Sequence, residues 1–238
     1  MSRPLANRLD PDMLLRAYAS GIFPMAERAD STDVFWVEPK KRGVLPLDDF
    51  HLPRSLARTL RQERFVLTAD RAFDAVLAAC GEPAPGRTET WINPMIADAY
   101  RTLAREGHAH SVEAWTPDGA LAGGLYGVRL GGAFFGESMF TRVRDASKCA
   151  LAALVARLRV GGFVLLDTQF LTSHLAGFGA VEVPARQYKA QLGGALGVAA
   201  DFVAVDAAAG GLGPAWPART VAAPLSGQRI VQLLTQMS

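Results

Sequence analysis

The spacing of hydrophobic and polar residues predicts helices in the first part of the chain. Apolar residues recur every three or four positions in four segments, as they do on the buried face of a helix. Asn93 is a favourable N-cap followed by Pro94, and Gly107 marks the end of that helix. Asp70 is expected to cap the helix that it opens. The predicted helices are residues 11–20, 54–64, 70–79 and 94–106.

From residue 110 the pattern changes to one that is typical of strands. Pro117-Asp118-Gly119 and Gly131-Gly132 supply turns between three strands, which favours an antiparallel meander. Asp145 is expected to cap a long helix that ends before Gly161-Gly162, and a buried strand follows. These segments are strands 110–115, 121–128, 133–140 and 163–167, and helices 145–159, 172–176 and 228–237.

This order of elements predicts an α+β fold with a mixed sheet, compatible with the arrangement of GNAT-type acyltransferases. Residues 1–45 are rich in proline, glycine and aromatic residues, which indicates a small N-terminal domain. The alternative is an extension of a single domain. We expect the catalytic domain to span 46–205, followed by a C-terminal tail, 206–238, with a loosely structured part at 207–224 and a terminal helix.

Composition narrows the class of protein. The chain has 238 residues, of which 50% are hydrophobic, enough for one substantial core with a small appended domain. The net charge of +2 requires no nucleic-acid partner, so any RNA contact must come from local basic clusters. Cys80 and Cys149 lie too far apart for a C-x-x-C pair and are expected to be reduced. With no signal peptide or membrane span in the pattern, we expect a cytosolic protein.

Glu137 is the most unusual polar residue of the predicted meander. It is surrounded in sequence by Phe134, Phe135, Met139 and Phe140, so it must find a cationic partner or shift its pKa. Strict alternation would place Phe135, Glu137 and Met139 on one largely apolar face. The alternative is that Glu137 lies on the solvated face of an edge strand.

A second candidate is the run Asp167-Thr168-Gln169, at the C-terminal end of the buried strand, where ligand groups gather in such sheets. The alternative is that Asp167 caps the next short helix. Other arrangements fail: His108 and His110 have no third ligand at metal spacing, and Ser138 has no G-x-S-x-G context. No phosphate-binding glycine loop is present.

Two basic clusters could contact a polyanion, although such clusters are more often solvated surface. One is a face of the helix that begins at residue 54. The other surrounds the start of the helix at 145, where free backbone N–H groups also favour anions. Their members are Arg54, Arg58 and Arg61, and Arg142, Arg144 and Lys148.

Several ordered motifs between residues 15 and 190 together resemble one family, the leucyl/phenylalanyl-tRNA–protein transferases. Their length and order make the resemblance specific. The motifs are 18–24 (YASGIFP), 90–92 (TWI), 107–113 (GHAHSVE), 123–128 (GGLYGV), 136–140 (GESMF), 146–148 (ASK), 167–169 (DTQ), and the residues around His174 and Gly179-Ala180.

The resemblance implies a small N-terminal domain, a GNAT-like C-terminal domain and a cytosolic location. It implies transfer of leucine or phenylalanine, and methionine less well, from aminoacyl-tRNA to proteins that begin with arginine or lysine, which marks them for degradation by the N-end rule. No metal and no dissociable cofactor is implied. We expect a monomer with no membrane partner.

The resemblance also assigns site residues. Gln169 is expected to contact the acceptor amine, Asp167 to polarise the arrangement, and Glu137 to hold the reacting groups and the cationic acceptor. Trp91 and Met25 are expected to hold the terminal adenosine of tRNA, and the basic clusters its phosphates. The matching aminoacyl pocket is Leu125, Phe134, Met139, Leu151, Leu154, Leu158 and Leu166.

The chain departs from the family pattern where the adenosine is expected. Met25 replaces a frequent tryptophan, and Trp36-Val37-Glu38-Pro39 stands where Trp-Trp-Ser-Pro is common. Trp91 should therefore carry most of the stacking.

Two other functions remain as alternatives. An acetyl-CoA-dependent acetyltransferase needs a Q/R-x-x-G-x-G/A loop, and the nearest string, 191–197, has Leu196 at the last required glycine. The strand–helix junction at 141–148 has no glycine at all. The second alternative, an RNA- or peptide-binding adaptor, is disfavoured by the intact Glu137, Asp167 and Gln169.

Overall fold

The computed structural model describes residues 8–83, 89–208 and 224–236. Most of the predicted loose segment 207–224 and residue 237 lie outside these ranges. The strands are β1 (Phe23–Met25), β2 (Phe35–Val37), β3 (Lys41–Val44), β4 (Val66–Ala69), β5 (Ala109–Trp115), β6 (Leu121–Leu130), β7 (Ala133–Thr141), β8 (Leu165–Gln169) and β9 (Val181–Pro184). The helices are α1 (Pro11–Ala19), α2 (Arg54–Arg61), α3 (Phe73–Gly81), α4 (Pro94–Arg105), α5 (Ala146–Val160), α6 (Ser173–Ala176), α7 (Ala185–Leu196), α8 (Ala204–Ala208) and α9 (Gly227–Gln236).

The predicted α+β fold with a mixed sheet is confirmed. Seven strands form one sheet in the order β4-β5-β6-β7-β8-β3-β9, and β1 pairs with β2 in a separate two-stranded ribbon. The meander β5-β6-β7 is antiparallel, as its turn residues predicted. Strand β8 then runs parallel to β7, because α5 carries the chain back across the sheet before β8 begins.

Each face of the large sheet supports its own hydrophobic core. On one face, α2, α5 and α9 cover residues such as Val112 and Phe134. On the other, α1, α3, α4 and α7 cover Ala109 and Phe135. A sheet that is buried on both faces explains why the strands β5 to β8 contain few exposed side chains.

Helix caps were predicted correctly at one place and wrongly at two. The Asn93 side chain accepts a hydrogen bond from the N–H of Ile96 at 2.8 Å, so the cap of α4 is confirmed. Asp70 and Asp145 have left-handed φ values of 56° and 69°, and neither forms a side-chain cap bond. Asp70 instead binds Ser111 N–H at 2.9 Å, because α3 begins only at Phe73.

Two segments outside the predicted range of the catalytic domain pack with its elements. Strand β3, which the prediction placed in the N-terminal domain, lies inside the large sheet between β8 and β9. Helix α9 of the predicted tail packs on α2 and α5, and Arg159 donates to the carbonyls of Leu233 and Leu234 near its C-terminal end. Both partnerships join segments more than 70 residues apart, which local spacing does not reveal. Within the described ranges, no helix has the length and apolar character that crossing a membrane would require.

Candidate active site

A cavity of about 850 Å³ opens where β7 and β8 separate. The two strands pair only as far as Phe135 and Asp167, and β7 then continues to Thr141 paired with β6 and no longer with β8. Helices α5 and α6 close the space between the diverging strands. The wall is largely apolar and includes Leu125, Met139, Leu151, Leu154, Leu166 and Leu175.

A β-bulge sets the direction of Glu137, which lines this cavity. Tyr126 pairs with Ser138 and Gly127 pairs with Gly136, so Glu137 is the extra residue with no partner in β6. A side chain at Gly127 would not fit, because its Cβ would lie 2.2 Å from the carbonyl oxygen of Phe135.

The bulge overturns the expectation that Phe135, Glu137 and Met139 share one face. Phe135 packs into one core and Met139 against the other, because the additional residue reverses the alternation.

The Glu137 carboxylate is held by hydrogen bonds from two sides. Tyr100 Oη donates to Oε2 at 2.8 Å, and Gln169 Nε2 donates to Oε1 at 2.9 Å. Tyr18 Oη lies 2.6 Å from Tyr100 Oη and extends the network. Burial raises the pKa of Glu137 to about 7, although hydrogen bonds from Tyr18 and Tyr100 oppose the rise. Glu137 can therefore gain or lose a proton near neutral pH.

Gln169 is held in a tight turn at the end of β8. Its φ is 55°, and Phe170 N–H donates to the carbonyl of Thr168 at 2.6 Å, which closes a γ-turn around Gln169. Asp167 Oδ1 accepts a hydrogen bond from Gln169 N–H at 2.7 Å. This strained backbone directs the Gln169 amide towards Glu137.

Gly43 of β3 lies against the same turn. A Cβ added at Gly43 would be 2.7 Å from both Thr168 Oγ1 and the carbonyl carbon of Phe170. It would also be 2.9 Å from the backbone nitrogen of Leu171. The turn and β3 thus fit together only because residue 43 has no side chain.

Asp167 lies behind the cavity wall and is fully buried. Its carboxylate accepts from Arg42 Nη2 at 2.7 Å and from Arg42 Nε at 2.9 and 3.0 Å. Tyr188 Oη donates to it at 2.6 Å. With Gln169 N–H as a further donor, the oxygens of Asp167 are occupied by protein groups, so the carboxylate orients neighbours and does not face a substrate.

Sequence reasoning missed Arg42, the cationic partner of Asp167. The guanidinium lies 4.6 Å from the ring centroids of both Phe23 and Tyr188 and donates to the Gly21 carbonyl at 2.9 Å. Arg42 stands in a run of three basic residues, 40–42, which resembles an exposed loop. Arg42 is buried and its neighbour Lys41 is exposed, because the two side chains leave opposite faces of β3, which was not recognised as a strand.

Five of the seven residues predicted for the aminoacyl pocket lie together on the cavity wall. Leu125, Met139, Leu151, Leu154 and Leu166 line the cavity. Phe134 and Leu158 do not, and both are fully buried in the core beneath it. Phe134 stacks on Phe202 with ring centroids 5.7 Å apart, which turns it away from the cavity. Helix α5 thus contributes two of its three predicted leucines to the wall.

Trp91 and Met25, predicted to hold the terminal adenosine, are neighbours. The carbonyl of Trp91 accepts from Ala26 N–H at 3.2 Å, and both side chains are half-buried. The Trp91 ring meets the edge of Tyr100 at 6.4 Å between centroids. Trp91 is therefore one side chain away from the Glu137 network.

The two basic clusters differ in their surroundings. Arg54, Arg58 and Arg61 share the exposed side of α2. In the second cluster, Arg142 pairs with Glu82 at 2.8 Å and Lys148 with Asp145 at 2.9 Å, which reduces their free charge.

The start of α5 is also closed to an anion. Ala146 and Ser147 are buried, and a Cβ on Gly123 would lie 2.9 Å from Ser147 N. The backbone of β6 therefore covers the N–H groups that were expected to attract phosphate.

His110 has the contacts of a structural residue. His110 is buried, stacks on Phe202 and contacts Asp70 through Nδ1 at 2.7 Å. Across the described ranges, no three His, Cys, Asp or Glu side chains are grouped closely enough to hold a metal ion.

Residues 7–40 match the family model "Leucyl/phenylalanyl-tRNA protein transferase N-terminal domain", and residues 44–193 match "Leucyl/phenylalanyl-tRNA protein transferase". A protein of Rhizorhabdus wittichii named leucyl/phenylalanyl-tRNA--protein transferase is 58% identical over 250 residues, covering 97% of this chain and 99% of the relative. A protein of the same name from Nitrobacter winogradskyi is 61% identical over 206 residues, covering 86% and 91%.

A solved structure titled "Crystal structure of FemX" is 11% identical, with a TM-score of 0.48, and the match covers 73% of this chain and 66% of that one. The sequence relationships are far closer, since the two family models follow one another along the chain and the two relatives match over 97% and 86% of it. The chain belongs to the leucyl/phenylalanyl-tRNA protein transferase family.

Proposed function

We propose that the protein transfers leucine or phenylalanine, and methionine less well, from aminoacyl-tRNA to the α-amine of proteins that begin with arginine or lysine. This transfer would mark the acceptor for degradation by the N-end rule. The observation that carries the proposal is the apolar cavity with Glu137 and Gln169 hydrogen-bonded to each other on its wall. It combines a place for an apolar aminoacyl side chain with groups that can handle an amine.

The aminoacyl donor needs an apolar binding surface and no chemical activation by the protein. The ester that links an amino acid to tRNA is already activated, so no covalent enzyme intermediate is required. Leu151, Leu154 and Leu166 offer the aminoacyl side chain an apolar surface, whose burial stabilises the complex. Their positions leave the ester carbonyl beside the polar groups of β7 and β8.

The acceptor amine must be neutral and must be directed at the ester carbonyl. The α-amine has a pKa near 8, and Glu137 has a pKa of about 7, so proton transfer between them is nearly balanced. Because Gln169 Nε2 donates to Glu137, the amide oxygen of Gln169 is turned away and can accept from the amine. The negative charge of Glu137 also attracts a cationic acceptor.

In the proposed reaction, the amine nitrogen attacks the ester carbonyl carbon and forms a tetrahedral intermediate. The bond from that carbon to the ribose oxygen then breaks, and a peptide bond remains. Glu137 takes the proton that the amine loses and returns it to the leaving ribose oxygen. Asp167 and Arg42 act as positioning residues, because they hold the turn that aims Gln169 and do not line the cavity.

We propose that Trp91 and Met25 hold the terminal adenosine by stacking, which is worth ~1–3 kcal/mol per base. Trp91 meets Tyr100 of the Glu137 network, and Met25 precedes Ala26, which is hydrogen-bonded to Trp91. Arg54, Arg58 and Arg61 would contact tRNA phosphates in a salt-dependent way. Arg142, Arg144 and Lys148 would contribute less, because each of the three already has an acidic partner.

We propose a GNAT-like catalytic domain, supported by the parallel pair β7–β8, the crossover through α5 and the cavity between the diverging strands. The N-terminal family model ends at residue 40, immediately before β3, which favours a domain boundary there in place of residue 45. We propose a cytosolic monomer whose partners are aminoacyl-tRNA and acceptor proteins.

The alternative of an acetyl-CoA-dependent enzyme has little support. Residues 191–196 of the nearest candidate loop belong to α7, so their backbone N–H groups are engaged in a helix. The test mixes purified protein with radiolabelled Leu-tRNA and a peptide that begins with arginine. Label should move to Arg- and Lys-initiated peptides and not to a matched acidic peptide. Transfer from acetyl-CoA but not from Leu-tRNA would reject the proposal.

A further inference from the structure

A phenylalanine on the ribbon extends the surface formed by Met25. Phe35 is 49% exposed and pairs across the ribbon with Met25. Paired residues of neighbouring antiparallel strands point to the same face, with Cβ atoms about 4.5–5.5 Å apart. Trp36, the next residue, is 40% exposed but points to the opposite face, because side chains alternate along a strand.

Phe35 is the outermost member of a series of side chains that begins at the reaction centre. Tyr100, which donates to the Glu137 carboxylate, is fully buried and meets the ring of Trp91. Trp91 is tied to the backbone of Ala26, next to Met25. Exposure therefore rises from Tyr100, through the half-buried Trp91 and Met25, to Phe35 at the solvent.

We infer that Phe35 stacks against the base that precedes the terminal adenosine of tRNA. The inference rests on the proposed function, in which Trp91 and Met25 hold that adenosine. The preceding nucleotide must then leave the site in the direction of solvent, and the series of side chains leads to Phe35. An exposed aromatic ring is the side chain on which an unpaired base stacks, whatever the base.

The charges near Phe35 favour a base over a phosphate as its partner. The loop between β1 and β2 carries the exposed acids Glu27, Asp30 and Asp33, whereas its Arg28 is paired with Asp30 at 3.3 Å. A phosphate would be repelled here, so the contact should be stacking alone. Its contribution should then be nearly independent of salt, unlike the contacts made by the arginines of α2.

The experiment compares two minimal donors, the leucyl ester of the trinucleotide CpCpA and the leucyl ester of adenosine. Phe35→Ala should raise the KM for leucyl-CpCpA at least about fivefold, by the same factor at low and high salt, with kcat unchanged. The KM for leucyl-adenosine, which lacks the preceding base, should keep its wild-type value. Phe35→Trp should restore tight use of leucyl-CpCpA. Trp36→Ala is the matched control on the opposite face and should leave both KM values unchanged.

Three outcomes would overturn the inference. An equal rise in KM for both donors would place Phe35 at the adenosine itself or in the fold, which thermal unfolding of each variant would separate. An effect of the same size from Trp36→Ala would place the contact on the other face. A rise in KM for the acceptor peptide alone would mean that Phe35 contacts protein. If wild-type protein used neither these donors nor Leu-tRNA, the proposed function would fail, and binding of uncharged CpCpA and adenosine would still test the stacking.

Discussion

Replacing Gly43 by alanine tests the claim that the turn around Gln169 is a precisely fitted part of the active site. The new Cβ would lie 2.7 Å from Thr168 Oγ1 and from the carbonyl carbon of Phe170. Two of its three close contacts are backbone atoms of residues 170 and 171, so a side-chain rotation cannot relieve them. The turn must move away from β3 by several tenths of an ångström or more.

The displacement should affect catalysis more than folding. Overpacking of this kind costs about 1–3 kcal/mol of stability. A misplacement approaching 1 Å of a group that aims a reactant costs on the order of 10²-fold in rate. We therefore expect Gly43→Ala to remain folded and to lower kcat about 10- to 100-fold, with a smaller change in the KM for aminoacyl-tRNA.

The assay measures steady-state transfer of labelled leucine from Leu-tRNA to an Arg-initiated peptide, together with the unfolding midpoint. Gly193→Ala is the matched control, because its Cβ would meet nothing within 4 Å and it lies in α7. That variant should keep full activity and gain about 0.5–1 kcal/mol of stability. A normal kcat for Gly43→Ala would refute the reasoning, as would a loss explained entirely by unfolded protein.

Four further predictions concern single side chains. Glu137→Gln should abolish the fall in kcat/KM expected below pH 7. It should also stabilise the fold above that pH by roughly 1–2 kcal/mol. The pKa of Glu137 is raised from 4.5 to about 7, so the wild-type protein loses stability as the pH rises from about 4.5 to 7, and the loss is complete above pH 7; an unchanged pH profile would exclude Glu137 as the base. Gln169→Ala should lower kcat ~10²-fold with tRNA affinity nearly unchanged, and lost tRNA binding instead would make it a binding residue. Leu154→Phe should penalise Phe-tRNA over Leu-tRNA by about 1–3 kcal/mol, whereas equal losses with a lower melting temperature would make Leu154 plain core. Trp91→Ala should raise the KM for aminoacyl-tRNA, and Met25→Trp should lower it; a folded Trp91→Ala protein with normal KM would place the adenosine elsewhere.

Local sequence was enough to predict the elements whose causes are local. The meander β5-β6-β7 was predicted because alternation and turn residues such as Gly131-Gly132 lie within the same short stretch. The cap of α4 was predicted for the same reason, since Asn93 and its partner Ile96 are three residues apart. In these cases the residues that cause the structure are neighbours along the chain.

The features that complete the site depend on partners far away in the chain. The bulge at Glu137 exists only relative to the register of β6, so alternation within β7 could not predict it. Arg42 and Asp167 are 125 residues apart, and β3 has no alternating pattern that would mark it as a strand. Asp70 and Asp145 were predicted as caps because aspartate is a common cap residue. Their left-handed backbone angles, which turn them away from the helix, cannot be predicted from the residue type.

The buried pair of Arg42 and Asp167 constrains how this protein can change over evolutionary time. Loss of either partner leaves an uncompensated charge in the interior, which costs about 3–5 kcal/mol. The free energy of unfolding of a typical domain is only about 5–15 kcal/mol, so this cost is a large part of it. Replacing the two residues one at a time would pass through an intermediate protein that has lost this stability and folds poorly. We therefore expect the two residues to change together or not at all, whereas a single apolar exchange at a residue such as Leu154 leaves no buried charge unpaired.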